Sequence, residues 1–322
     1  MKSKMKISGF PILLAVAGLV SVLSLRVRDP NSSEQIKPYT NNHLAVQPQS
    51  LRLLSVPNLT SSLWSSYETN LLSSASSRYV GSTTIQSSAD YIESELRKLG
   101  IEVFMDEFPS PVVGEIKVSK NIVGRLVGSV SESILVGAHY DSLPSQGVAP
   151  GADDNGSGVA SLLSMAHALS ETKLRRNIIF VAFSGEEAGM LGSAHFAAAV
   201  APGMNIVSAI ILDQVGNPGT ERGVIFESVG DSPDRLRIID TLAACVDSGI
   251  SSFVVNHNGF GSDHLSLSEA GIPSVLVIES ENMKFAREYG HTARDVIANI
   301  DPSFGSAIAR TVLGAVVRLA MA

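Results

Sequence analysis

Apolar strands alternating with amphipathic helices predict an α/β protein with a mostly parallel central sheet sandwiched between helices. Three observations carry this. Segments 178–183, 209–212 and, after its opening Ser274, 274–278 are continuously apolar, the pattern of strands buried on both faces. Helical patterns lie between them, as crossovers between parallel strands require. Imidazoles and carboxylates recur where those strands end, and ligands of such sheets bind outside the carboxyl ends of strands.

Taken in order, residues 30–64 are rich in Ser, Asn, Gln and Pro and read as a linker. The serine-rich stretch 65–88 carries Tyr67, Leu71 and Leu72 and is expected to be partly helical. Residues 86–99 form a helix: Ala89, Ile92, Leu96 and Leu99 mark one face, and Gly100 stops it. Strands are expected at 101–108, 121–128 and 133–138, then a helix at 158–170. A strand at 177–183, a short helix at 191–200 and a strand at 207–212 follow. A helix at 233–248, a strand at 274–278 and a closing helix at 302–322 complete a single domain over 65–322.

The chain has 322 residues, 44% hydrophobic and 17% charged, a balance typical of folded proteins. A net charge of -7 without a long basic run argues against a nucleic-acid partner. Residues 1–29 stand apart. Lys2, Lys4 and Lys6 precede a mainly apolar stretch from Ile7 to Leu25, the form of a cleaved signal peptide or a single membrane anchor. Export is therefore expected, to a periplasmic, extracellular or outward-facing anchored location, with possible membrane attachment through residues 7–25. Beyond residue 29 the net charge is -11. The single cysteine, Cys245, excludes an intrachain disulfide, so an exported fold must rely on its core and any bound metal. Its apolar helical setting predicts a packing role.

The chemistry-bearing residues come in a fixed order. His139 and Asp141 end a strand, and Asp153 and Asp154 sit in a glycine-rich turn. Glu186 and Glu187 follow Gly185, Asp213 follows an apolar run, and His291 opens His-Thr-Ala-Arg-Asp. Zinc takes imidazole nitrogen and carboxylate oxygen at about 2.0–2.2 Å. A two-metal hydrolytic site spaces its ions by about 3.5–4 Å, so one carboxylate must bridge. The candidate ligands of a two-zinc (Zn2+) site are His139, Asp153, Glu187, Asp213 and His291. Of the adjacent glutamates, Glu187 is expected to bind metal and Glu186 to act as the base that takes a proton from water. Asp141 can accept the free ring N–H of His139. Gly151, Gly156 and Gly158 let the backbone turn and present Asp153. Each piece alone has an ordinary reading: a solvated Glu-Glu pair, a plain Asp-Asp-Asn-Gly turn, a capping Asp, a local His-Asp hydrogen bond. Their joint order at strand ends outweighs those readings. His43, His167, His195 and His257 are expected to be structural or exposed. Asp263 and His264 either start a helix or support the site, the latter being preferred.

Ordered this way, Arg78-Tyr-Val-Gly-Ser, His139-Tyr-Asp, Pro150-Gly-Ala-Asp-Asp-Asn-Gly-Ser-Gly, Phe183-Ser-Gly-Glu-Glu-Ala-Gly-Met-Leu-Gly-Ser, Leu212-Asp, Ser262-Asp-His and His291-Thr-Ala-Arg-Asp resemble the M28 family of zinc peptidases, bacterial aminopeptidase type. The resemblance covers about residues 78–320. It implies the zinc-exopeptidase, phosphorylase/hydrolase-like fold and a metallo-exopeptidase acting on peptides, most readily an aminopeptidase. It also implies one zinc held by His139, Asp153 and Asp213 and another by Asp153, Glu187 and His291, with Glu186 as general base. Asp154, Asp263, His264 and Asp295 would support these groups, and a cis peptide is implied between Asp153 and Asp154. A glutaminyl cyclase-like acyltransferase and a non-catalytic, receptor-like relative share the fold and are the alternatives. The unbroken set of ligands favours neither.

Overall fold

Odd and even residues of the central strands pack into two separate cores, which fixes the three-layer architecture. The computed structural model describes residues 58–322 apart from 113–114, 145–146 and 260. The expected export segment, most of the linker and His43 lie outside these residues.

Eight strands form one sheet: β1 (Glu102–Val112), β2 (Glu115–Leu126), β3 (Ser133–His139), β4 (Asn177–Phe183), β5 (Ile206–Leu212), β6 (Gly223–Glu227), β7 (Ser252–Asn256) and β8 (Ser274–Glu279). Their order is β1-β2-β4-β3-β5-β8-β6-β7. The centre, β4-β3-β5-β8, is parallel, with Val136 beside Phe180 and Ile210, and Ile210 beside Val275. The β1-β2 hairpin adds antiparallel to β4, and β6 adds antiparallel to β8 with β7 parallel outside it. The sheet is thus parallel where it is buried on both faces and mixed at its flanks.

Because strand side chains alternate between faces, Ile134, Val136, Ile178, Phe180, Ile210, Leu212, Val275 and Val277 enter one core, whereas Leu135, Ile179, Val181, Ile211 and Leu276 enter the other. The first core is covered by α1 (Ser61–Ser74), α2 (Ile85–Lys98), α3 (Gly158–Leu169), α5 (Pro233–Ala243) and α8 (Pro302–Met321). The second is covered by α4 (Leu191–Ala199) and α6 (His264–Glu269). A short helix, α7 (Asn282–Glu288), precedes His291. Gly137 sits mid-strand in β3, where a Cβ would lie 2.7 Å from both Ile211 and Phe183.

The helix α8 is long and apolar enough to cross a bilayer, but 83% of its apolar 18-residue window is buried inside the fold, so it is a core helix. Asp301 caps it by accepting the N–H groups of Ser303 and Phe304, and Pro302 follows at the first helical position.

Several elements differ from expectation: β1 runs on to Val112 and β2 begins at Glu115, where strands at 101–108 and 121–128 were expected. Helix α1 starts at Ser61, capped by Thr60, and both Leu59 and Trp64 are buried, so the end of the expected linker belongs to the domain. Trp64 Nε1 donates to Ser161 Oγ at 2.8 Å, pinning α1 to α3. Helix α5 stops at Ala243, five residues before the expected 248, because Asp247 turns out to accept from Arg310 at 2.7 and 3.0 Å. The strands β6 and β7 have five residues each, too short to show a periodicity.

Candidate metal centre

Neighbouring strands deliver the site. β3 ends in His139, β4 leads through Gly185 (φ 76°) into Glu186 and Glu187, and β5 leads into Asp213. The turn 152–157 between β3 and α3 brings its acidic pair over the same strand ends, and His291 (φ 55°) enters after α7.

Among the described residues, two groups of three donors result. His139, Asp154 and Asp213 place one ligand atom each within 4.8 Å of one another, and so do Asp154, Glu187 and His291. Asp154 is common to both. Its Oδ1 lies 3.4 Å from His139 Nε2 and its Oδ2 3.5 Å from His291 Nε2. His139 Nε2 is 3.4 Å from Asp213 Oδ1, and His291 Nε2 is 3.0 Å from Glu187 Oε2. Glu186 belongs to neither group, and its Oε2 stands 4.0 Å from His139 Nε2.

The expectation that Asp153 bridges is corrected by this geometry: the shared carboxylate is Asp154. The cis peptide likewise joins Asp154 to Asn155, not Asp153 to Asp154. The cause lies in the partners of the turn. Asp295 accepts the Asp153 N–H (2.8 Å) on one oxygen and the Asp154 N–H (3.0 Å) on the other. Asp153 Oδ1 accepts the Gly216 N–H at 2.7 Å, which turns that side chain away from the histidines. Asp154 and Asn155 leave the helical conformation, and Asn155 donates to Leu212 O at 2.8 Å and accepts from Gly158 N at 2.9 Å. A Cβ at Gly158 would lie 2.3 Å from Asn155 Oδ1, so glycine is required there.

Asp141 stands beside His139 as expected, with a larger task. His139 Nδ1 is 3.2 Å from the Asp141 carbonyl oxygen and 3.6 Å from its carboxylate. A carbonyl only accepts, so Nδ1 carries a proton, and Nε2 is the nitrogen left to bind a metal once its own proton has gone. The Asp141 carboxylate also accepts the N–H groups of Glu186 (3.2 Å) and Glu187 (3.3 Å). Ser262 Oγ donates to Asp213 Oδ2 at 2.8 Å. Asp263 and His264 are fully buried; Ser193 bonds the Asp263 side chain, Ser274 Oγ donates to the His264 carbonyl at 2.7 Å, and the His264 ring faces Glu227 at 3.9 Å. His167, His195 and His257 make ordinary local contacts, with Tyr67, Asp106 and Ser228 respectively.

Two residues that sequence reasoning gave no role hold the site. Arg78 is fully buried and donates to the carbonyls of Tyr140, Pro150 and Gly151, which joins the end of β3 to the start of the acidic turn. Gln214 donates to Asp154 Oδ2 at 3.0 Å. Only the presence of Arg78 in a family motif hinted at the first, and no pattern marks the second.

The electrostatics are those of a cation site. Burial pulls the His139 imidazole down, but the Asp213 charge and contacts with Asp141, Asp154 and Asp213 outweigh it and hold it well above the ordinary value. Bonds to Asp154 and then Glu187 raise His291 to about 10. Burial, then the Asp154 charge, raises Glu187 to about 7. Burial raises Glu186 well above the carboxylate range. The buried Glu187 Oε1 has no hydrogen-bond partner. Imidazole nitrogens and carboxylate oxygens in two groups of three, one acid shared, are the donor chemistry zinc takes.

This donor set suits a divalent metal. The model of peptidase family M28 matches residues 121–316. The chain is 34% identical over 219 residues to leucine aminopeptidase 1 of Ajellomyces capsulatus, covering 63% of this chain and 56% of that protein. It is 29% identical over 314 residues to a probable leucine aminopeptidase of Trichophyton verrucosum, covering 88% and 76%. The chain thus spans little more than half the length of several curated relatives. Among solved structures, BSAP, a zinc aminopeptidase from Bacillus subtilis, superposes with TM-score 0.73 at 18% identity, covering 82% of this chain and 96% of that one. Porphyromonas gingivalis glutaminyl cyclase superposes with TM-score 0.70 at 23% identity, covering 82% and 99%. The chain belongs to peptidase family M28.

Proposed function

We propose that the protein is a zinc-dependent exopeptidase of the aminopeptidase type. It would use two zinc ions, one held by His139, Asp154 and Asp213 and the other by Asp154, Glu187 and His291. The observation that carries the reading is the pair of three-donor groups sharing Asp154, with the Glu186 carboxylate 4.0 Å from His139 and part of neither. When bound, a zinc pair polarises a carbonyl and lowers the pKa of water toward about 7.

Glu186 is the proton carrier. Burial raises its affinity for a proton, which suits a base working near neutral pH. It takes the proton of the attacking water and delivers it to the leaving amine nitrogen. The backbone N–H bonds from Glu186 and Glu187 to Asp141 hold the two glutamates in separate roles. The relatives named leucine aminopeptidases support peptides with a free amino end as substrates. Export fits the lysines and apolar run of residues 2–25.

The test is a screen of free and N-blocked peptides with chelated and zinc-restored protein. Hydrolysis that needs zinc and a free amino end is expected. Cyclisation of amino-terminal glutamine without hydrolysis would assign the chain to cyclase chemistry instead.

A further inference from the structure

We propose that Gln214 is a positioning residue for Asp154 and governs the Glu187–His291 half of the centre. The proposal rests on the two-cation reading above. Gln214 directly follows Asp213. Consecutive side chains of an extended strand face opposite ways, yet both of these reach the same cluster. The left-handed backbone of Gln214 (φ 48°) breaks the alternation. Asp213 Oδ1 then lies 3.4 Å from His139 Nε2, while Gln214 Nε2 lies 3.0 Å from Asp154 Oδ2.

A carboxylate oxygen only accepts, so the amide must turn its NH2 to Asp154, and its orientation is fixed. Gln214 Oε1 is left buried without a partner. A left-handed glutamine and an orphaned acceptor are two local costs at one residue, a combination retained where the position serves a site. The oxygen that Gln214 holds is the one turned toward His291, at 3.5 Å, whereas the other oxygen of Asp154 faces His139. Gln214 therefore acts on one side of the shared carboxylate. Outer partners of a ligating group typically contribute about 10–100-fold in metal affinity.

The experiment is a calorimetric titration of zinc into the ion-free full chain. It compares wild type with Gln214→Met, which keeps the length without a donor, and Gln214→Asn, which keeps the amide but falls short of Asp154. Wild type should bind in two steps. In both variants one step should weaken by about 10–100-fold and the other by less than about threefold. The step that weakens should be the one that His291→Ala removes, and Gln214→Met should add nothing in that background. Equal weakening of both steps, no change in either, or a weakened step that survives His291→Ala would overturn the proposal. A single zinc in wild type would sink it together with the two-cation reading. Two steps with the expected split but no peptide hydrolysis would support Gln214's role while refuting the exopeptidase.

Discussion

Asp295 spans two consecutive peptide groups: its Oδ1 accepts the N–H of Asp153 at 2.8 Å and its Oδ2 the N–H of Asp154 at 3.0 Å. Asp141 makes the matching grip on Glu186 and Glu187. Each of the two histidine-bearing segments thus carries an aspartate that fixes one acidic pair. Asp295→Asn replaces one acceptor by an NH2 group facing a buried N–H. It should cost about 1–3 kcal/mol in urea unfolding and lower zinc retention on dialysis. An unchanged unfolding midpoint and full zinc retention would count against the grip.

The two acids of the turn should separate cleanly. Asp154→Asn removes the carboxylate shared by both donor groups and should leave the purified protein with less than one zinc. Burial, then the Asp295 charge, raises Asp153 well above the usual carboxylate range, and Asp153→Asn keeps the acceptor for Gly216. That variant should keep its zinc. Metal analysis of the pair decides between the two positions.

Glu186→Gln should lower kcat by about 10²–10⁴-fold, the usual contribution of a positioned proton carrier. Zinc content should match wild type, because Glu186 lies outside both donor groups. Loss of zinc in this variant would place Glu186 among the ligands.

Zinc binding should release protons. In the ion-free protein at pH 7 both His139 and His291 hold the extra proton, His291 titrating at about 10. Zinc requires both imidazoles neutral, so at least two protons leave and the combined affinity should rise about 100-fold per pH unit near neutrality. Calorimetry in buffers of different ionisation enthalpy counts them. The ion-free fold has the opposite dependence: the raised His291 contributes stability below pH about 6.5 that is lost as pH rises through 10. Melting curves at pH 6 and pH 10 should show it.

Arg78→Met removes the donor to the Tyr140, Pro150 and Gly151 carbonyls, of which Gly151 keeps the Gly156 N–H, and removes the positive charge beside Asp295 and Asp141. A loss of about 3–5 kcal/mol is expected by chemical denaturation, as for a broken buried pair. Arg78→Lys should recover only part, because an ammonium lacks the planar fork that reaches several oxygens.

The sequence by itself determined the central strands of the sheet, their burial on two faces and the family. Continuous apolar runs can be buried only between layers, and polar residues at their ends have only the sheet edge to occupy. His139, Glu186, Glu187, Asp213 and His291 each follow a distinct apolar or glycine-marked signal in the sequence, and all but Glu186 fall in the two donor groups. The tertiary structure alone decided between Asp153 and Asp154. Both follow the same glycine, and it is the bonds from Asp295 and Gly216, contributed by segments more than 60 residues away, that turn one acid inward and the other toward the histidines. Arg78 and Gln214 were illegible for the same reason. Their roles are hydrogen bonds to partners that chain folding, not sequence spacing, brings within 3 Å.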